Sequence, residues 1–299
     1  MICLKCLRSI SGQMKYGLHE ECFVSWFKTD ATNEFQSLIP RSATSLDPER
    51  KDLSNNQSFY HGKFKKYSAN LDKDRYILKM RDTMEAPELP EVEFLCNKIA
   101  ESMGVPIADF FYIDFYGEKI FVTKVFIHKN QGHANLEHIY KFRDGKDHNC
   151  ETLIKVISEI TKLPHDVEIF IQTLLFDALI GNHDRHGRNL AFISTPTKTI
   201  LSPIYDNVSY LSLVYGPILK ADFNPTGRIA TKKTNEPSMS DYIQELKRLG
   251  YDEAINNFFK KINLNKIESL IEDSFCTNPM KQALKKLIHK RYKEYLNAI

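Results

Sequence analysis

An apolar helix pattern that runs straight into a polar, charged turn limits this chain's fold more than any other feature. Over residues 166–180, Val167, Phe170, Ile171, Leu174, Leu175, Ala178 and Leu179 recur at helical spacing. Pro164 stands just before this stretch and Gly181 just after it, a start and a stop signal. A face this wide predicts a central core helix. Its end delivers the chain into Asn182-His183-Asp184-Arg185-His186-Gly187-Arg188-Asn189, and a second acid, Asp206, follows in Ser202-Pro203-Ile204-Tyr205-Asp206-Asn207. An Asp-x4-Asn pair followed by a lone Asp is what phosphoryl transfer needs: Asp184 takes or orients a hydroxyl proton, and Asn189 and Asp206 hold Mg2+. Turn capping explains either acid alone, but explains the ordered set poorly.

With 299 residues, the chain suits one large two-lobed unit or two domains. Its 42% hydrophobic and 26% charged residues are ordinary for a globular protein, and a net charge of +3 neither demands nor excludes nucleic acid. The N-terminus lacks the apolar run and cleavage site of a signal peptide. The most apolar window, 167–180, contains Glu168, Gln172 and Asp177, too polar for a membrane span. A cytoplasmic protein is expected, with neither a membrane nor direct nucleic-acid contact. Without an export signal, the six cysteines are not expected to form a disulfide framework. Cys3-x2-Cys6 and His19-x2-Cys22 instead have the pair-gap-pair spacing of a tetrahedral Zn2+ knuckle, which Gly12 and Gly17 would help to close. The bland alternative is free thiols and a surface histidine in a frayed terminus. Trp26 and Phe27 would pack this segment onto the main body.

Residues 31–57 read as irregular linker, and the Gly62 region as a turn that could cover phosphates. Lys63, Lys65 and Lys66 there read equally well as a solvated face. A strand over 75–80 carries Lys79, which is costly to bury without an anionic partner. Glu93, beside the apolar stripe of a helix over 91–104, could supply one; the alternative is a snorkelling lysine and a solvated acid. A hairpin spans 110–126 around Tyr116-Gly117-Glu118. Beyond residue 128 helices dominate: a short one over 153–160, the core helix, and three more over 241–249, 255–262 and 267–273. Short strands at 190–193 and 199–202 would bring Asn189 and Asp206 together, and 216–240 is a long loop. Asn278 would cap a last helix with Pro279 at its first position. That helix buries Leu284, Leu287, Ile288, Tyr292 and Tyr295, leaving Lys281, Lys285, Lys286, Lys290, Arg291 and Lys293 outside.

Lys79, Glu93, Asp184-x4-Asn189 and Asp206, in this order, resemble the protein-kinase plan. The phrases Leu-Ile-Gly-Asn-His-Asp-Arg-His-Gly-Arg-Asn and Ser-Pro-Ile-Tyr-Asp-Asn-Val-Ser look like the HipA family of bacterial serine/threonine kinases, known from toxin–antitoxin systems. The chain is short for that family and closest to the HipT-type toxins of tripartite HipBST systems. The resemblance implies an α+β, protein-kinase-like two-lobed fold. Residues 31–128 would form a β-rich N-lobe with the nucleotide loop, and 129–299 a mainly helical C-lobe with the catalytic and Mg2+-binding residues. Residues 1–30 would form a small zinc-knuckle-like segment.

By the same resemblance Asp184 is the catalytic base, and Asn189 and Asp206 hold Mg2+. Lys79, oriented by Glu93, contacts the ATP phosphates. Lys124, Val125 and Phe126 line the adenine site through backbone groups, Gly62 belongs to the nucleotide loop, and His183, Arg185 and His186 support the catalytic loop, His186 from the ATP side. The family's loop carries an autophosphorylated serine beside its glycine. No serine stands there in this chain, so Ser58 and then Ser54 are the candidates. The implied partners are a protein substrate, by analogy an aminoacyl-tRNA synthetase, a small HipS-like protein and a DNA-binding HipB-like antitoxin. Delivery into a host cell as an effector stays open. A small-molecule or lipid kinase on the same site and a nucleotide-binding pseudokinase scaffold are the alternatives.

Overall fold

The computed structural model describes residues 1–41, 66–81, 85–127, 134–142, 148–214 and 216–298. It opens with a small hairpin of β1 (Met14–Lys15) and β2 (Leu18–His19), followed by α1 (Glu20–Phe27). Tyr16 and Gly17 both take positive φ, 51° and 76°, the conformation of a two-residue type I′ hairpin turn. A Cβ on Gly17 would meet Leu4 Cδ1 at 2.8 Å and Asp114 Cβ at 3.0 Å, so glycine suits both the positive φ and the close approach to the N-terminal turn.

An antiparallel sheet follows, in the order β3-β4-β5-β7-β6, made of β3 (Gln36–Arg41), β4 (Lys66–Leu71), β5 (Asp74–Lys79), β6 (Phe110–Phe115) and β7 (Glu118–Lys124). The apolar run Tyr76-Ile77-Leu78 is buried throughout, which explains why β5 is central. The predicted hairpin is β6–β7, and its Tyr116 and Gly117 again have positive φ, 52° and 86°. Part of the stretch read as linker is β3, the sheet's edge strand. Its Pro40 is tolerated there because an edge position need not donate a ladder hydrogen bond.

Helix α2 (Leu89–Ser102) lies between the two halves. Val92, Leu95, Cys96 and Ile99 join the core of the helical half, while Phe94 joins that of the sheet. The helix starts with Pro90 in its first turn, and Gly104 follows its end with φ 66°. Trp26 and Phe27 pack the N-terminal segment onto the sheet: Phe27 stacks on Phe111 at 4.4 Å, and Trp26 meets the same ring edge-on at 5.8 Å.

The second half is mainly helical. Helix α3 (Cys150–Thr161) is capped by Asn149, whose side chain accepts from Thr152 N–H. Helix α4 (Pro164–Ile180) is the predicted core helix. Beyond the expected stripe, Ile169, Thr173 and Phe176 are buried too, so α4 is covered on nearly every side, as a helix that is apolar all round must be. Next to it lies a three-stranded sheet in the order β10-β9-β8, made of β8 (Asn135–His138), β9 (Ala191–Ser194) and β10 (Thr199–Leu201). Two of these strands match the short predicted pair; the third, β8, carries too few apolar residues to signal itself. The remaining helices are α5 (Met239–Arg248), α6 (Asp252–Lys260), α7 (Leu264–Glu272) and α8 (Asn278–Leu296). No helix among the described residues is long and apolar enough to cross a membrane.

Helix α8 departs from expectation twice. Thr277, not Asn278, is its N-cap residue; it makes no side-chain cap, and its N–H and hydroxyl both donate to the Glu88 carboxylate at 2.7 and 2.8 Å. Arg291, expected outside, is 1% exposed, donating to the Pro225 carbonyl at 2.5 Å and to Glu294 at 2.6 Å. A one-dimensional charge pattern cannot reveal a carbonyl brought in by a distant loop.

Candidate active site

The end of α4 and the 206–207 loop are joined by one buried side chain. Arg185 is 2% exposed. Its Nε and Nη2 donate to the Asp177 carboxylate at 2.7 and 2.8 Å, a two-pronged pairing that suits a planar guanidinium. The same group donates to Asn207 Oδ1 at 2.7 Å, to the Tyr205 carbonyl at 2.6 Å and to the Asn189 carbonyl at 3.2 Å. Burial alone would lower the pKa of this guanidinium, but Asp177 more than offsets it and raises the value. Asn182 adds a second tie, donating to Asp177 at 2.9 Å and to the Asp206 carbonyl at 3.3 Å. Asn207 donates to Asn97 of α2 at 3.0 Å, which connects this network to the helix carrying Glu93.

Around these ties the turn after α4 folds on itself. Asp184 N–H donates to Asn182 Oδ1 at 3.1 Å, and the Asp184 carbonyl accepts from His186 N–H at 2.8 Å and Asn189 Nδ2 at 3.0 Å. That leaves Asn189 Oδ1 as the amide's remaining coordinating atom. The Asp184 side chain stays 60% exposed, turned to where another molecule can reach it.

Opposite lies the sheet. Lys79, at the end of β5, is 6% exposed and donates to both Glu93 and Asp206. The buried pair is thus formed, and the snorkelling alternative is corrected: a lysine walled in on a central strand needs the carboxylates. Lys66 sits directly across the ladder from Lys79. It is 6% exposed, with its Nζ 3.7 Å from Asp206 Oδ2, so the solvated-face reading of this residue is also corrected. Its side of the strand faces the helical half, which sequence could not show.

Electrostatics follow from this packing. Burial disfavours an ionised Asp206, but Lys66 and Lys79 outweigh it and hold the carboxyl well below the usual carboxylate range. Burial would also lower Lys79, yet Asp206 and Glu93 hold it above the usual lysine range. Burial dominates elsewhere: it pushes Glu93 up, and Lys66, His183 and His186 down. Asp206 itself adopts a left-handed backbone, φ 55°, an uncommon and strained conformation for a non-glycine residue.

Lys66, Lys79, Glu93, Asn182, His183, Asp184, His186, Asn189 and Asp206 line one pocket between the sheet and the helices. The structure therefore brings together Lys79, Glu93, Asp184, His186, Asn189 and Asp206. Lys124, Val125 and Phe126 are not in its lining. Lys124 N–H donates to the Asp109 carbonyl at 2.8 Å and Val125 N–H to that of Arg75 at 2.9 Å, while the Lys124 ammonium pairs with Asp74 at 2.7 Å. Gly62, Ser58 and Ser54 lie outside the described residues. Sequence reasoning missed Lys66, Asn97, Asp177 and Asn207. Only Asp177 left a signal, as an acid in the most apolar window of the sequence.

A five-stranded antiparallel sheet with α1 and α2 packed on it, set on a helical half with this pocket between them, is the two-lobed α+β fold of the protein kinases. Residues 52–273 match the HipA-like C-terminal domain model, and the chain belongs to that family. A curated Sinorhizobium fredii protein, "Putative kinase Y4dM", is 28% identical over 168 residues, 50% of this chain and 41% of its own length. The chain thus spans about two fifths of that relative. Among solved structures, the Helicobacter pylori proinflammatory kinase CtkA superposes with a TM-score of 0.65 and 18% identity, over 79% of this chain and 90% of that one. A chain of the Shewanella oneidensis MR-1 toxin–antitoxin complex of HipA, HipB and operator DNA gives a TM-score of 0.56 and 18% identity, over 74% of this chain and 58% of that one. At such identities these likenesses speak to the fold.

Proposed function

We propose that the chain is an ATP-dependent protein serine/threonine kinase, acting as a HipA-family toxin. The observation that carries this reading is the pocket itself. An accessible carboxylate, Asp184, faces an ionised Asp206 and the Asn189 amide, with a lysine locked between two acids on the opposite wall. Oxygen donors from Asn189 and Asp206 suit Mg2+, which prefers carboxylate and amide oxygens. When bound there, Mg2+ would neutralise charge on the nucleotide phosphates. Lys79 and Lys66 would then face the phosphates as cationic partners, and Glu93 would keep Lys79 in place.

In the reaction, a substrate hydroxyl oxygen forms a bond to the γ-phosphorus of ATP and the bond to the β–γ bridging oxygen breaks. ADP leaves, and the hydroxyl proton passes to the Asp184 carboxylate. Holding Asp184 on a turn cross-linked by Arg185 keeps the base where the acceptor must sit, and positioning is most of what such catalysis requires.

The family likeness supports a DNA-binding HipB-like antitoxin as a partner, and a small HipS-like protein is the second proposed partner. Ser58 or Ser54 is the proposed site of autophosphorylation. Phosphate there would repel the nucleotide's phosphates. Aminoacyl-tRNA synthetases are the acceptors suggested by analogy; host-cell proteins are the acceptors if the chain acts as an effector. Phosphosite mapping in a cell extract supplied with the chain and ATP tests the acceptor class. New phosphate on serine or threonine of one or a few proteins is expected. Phosphate appearing only on lipids or small metabolites would overturn the protein-kinase reading in favour of the small-molecule kinase.

A further inference from the structure

The kinase reading leaves one cluster unused, in the N-terminal segment that packs on the sheet. Cys3, Cys6, His19 and Cys22 converge so that their ligand atoms all lie within 4.8 Å of one another. His19 Nδ1 is 3.4 Å from Cys6 Sγ and 3.8 Å from Cys22 Sγ. A tetrahedral Zn2+ with bonds of about 2.0–2.3 Å separates its ligand atoms by roughly 3.5–3.8 Å, so these spacings suit a shared ion. All three cysteines are free thiols.

The surroundings support metal binding more strongly than the spacing does. His19 Nε2 lies 3.1 Å from the Ser9 carbonyl. A proton on Nε2 donated to that oxygen leaves the Nδ1 lone pair aimed at the thiols, the outer support typical of a metal-bound histidine. The backbone is folded around the cluster. Cys3 N–H donates to the Arg8 carbonyl and Leu7 N–H to the Cys3 carbonyl, both at 2.9 Å, with Leu7 at φ 59°. Leu4 N–H reaches the Gly17 carbonyl at 3.0 Å, bringing the first pair of ligands against the hairpin that carries the second. Cys3 is fully buried and Cys22 is 6% exposed.

We propose that Cys3, Cys6, His19 and Cys22 bind one structural Zn2+ ion. Three thiolates and one imidazole form a soft, closed set that selects zinc over the oxygen-loving cations, and four protein ligands leave no position for substrate. The ion ties the N-terminal turn and the β1–β2 hairpin to α1. That helix carries Phe23 and Phe27, which are buried against Phe35, Tyr76 and Phe111, so the metal secures an aromatic wedge on the sheet that also bears Lys79. Tyr16 completes the attachment, its carbonyl accepting from Asp114 N–H of β6 at 2.9 Å.

The test is elemental analysis of the full chain, purified under reducing conditions without chelator. About one zinc per chain is expected, falling to near zero in Cys6→Ser/Cys22→Ser. Because that variant can fail to fold, the wild-type chain is also loaded with Co2+ in place of Zn2+. It should show the visible bands of tetrahedral cobalt and a thiolate-to-metal charge-transfer band. His19→Cys should retain one metal and shift those bands towards a four-thiolate site. Iron in place of zinc, metal far below one per chain, an octahedral cobalt spectrum, or zinc unchanged in the double variant would each overturn the proposal.

Discussion

Asp206 and Arg185 do different work at the residue scale. The Asp206 carboxyl is held below the usual range by Lys66 and Lys79. A depressed carboxyl adds stability above its unfolded value of about 3.9, and loses it as pH falls from there towards the folded value. Wild type should therefore be more stable than Asp206→Asn at neutral pH, with the gap closing below about pH 4. Urea midpoints measured from pH 7 down to pH 3 check this, and a gap that stays constant with pH would contradict it. Arg185 has an opposite role, in that it is never meant to touch a ligand. Replacing it by Met strands the buried Asp177 and leaves the Asn189 and Tyr205 carbonyls without their donor. Breaking a buried pair from one side costs about 3–5 kcal/mol, readable as a lowered urea midpoint. The sequence placed Asp184, Asn189 and Asp206 together because their spacing is chemical. It did not show Arg185's partners, since the Asn189 and Tyr205 carbonyls carry no side-chain signature and Asp177 and Asn207 lie 8 and 22 residues away in the chain.

At the scale of elements, α4 and its stop residue set the position of the site. The helix was legible because its apolar spacing is long and its boundary residues are unambiguous. Gly181 ends it at φ 70°, and a Cβ there would meet Leu287 Cδ2 at 2.8 Å, with Pro225 and Tyr210 at 3.1 Å. Gly181→Ala combines backbone strain with a clash that reaches α8. It should destabilise the chain by about 1–3 kcal/mol and reduce phosphate transfer, because the turn bearing Asp184 starts at this residue. Calorimetric melting together with transfer assays checks both effects; an unchanged melt would show that the close contacts relax at no cost. Elements with weaker periodicity were harder to read. Strand β3 is interrupted by Pro40 and β8 is short and polar, and both become strands because a neighbouring strand supplies their hydrogen bonds. Lys66 looked solvated for the same reason: β4 turns it inward through pairing with β5, not through any local pattern.

At the scale of the molecule, the site joins two halves. The sheet half provides Lys66 and Lys79, the helical half Asp184, Asn189 and Asp206, and α2 contributes Glu93 while belonging to both cores. A ligand bound across that seam stabilises both halves at once. Mg·ATP at a hundred times its Kd should add about 2.7 kcal/mol, a rise in melting temperature of roughly 4 °C for a chain of this size. Lys79→Met should lose most of that rise, and an undiminished rise would place the nucleotide elsewhere. The most direct test of the central claim compares wild type with Asp184→Gln, both shown by calorimetry to bind Mg·ATP. The rate at which each moves the γ-phosphate of labelled ATP onto protein in a cell extract is then measured. Removing a general base costs about 10²–10⁴-fold, so the account predicts a loss of that size in Asp184→Gln with nucleotide affinity and melting temperature nearly unchanged. Transfer at the wild-type rate by a folded, nucleotide-binding Asp184→Gln would contradict it.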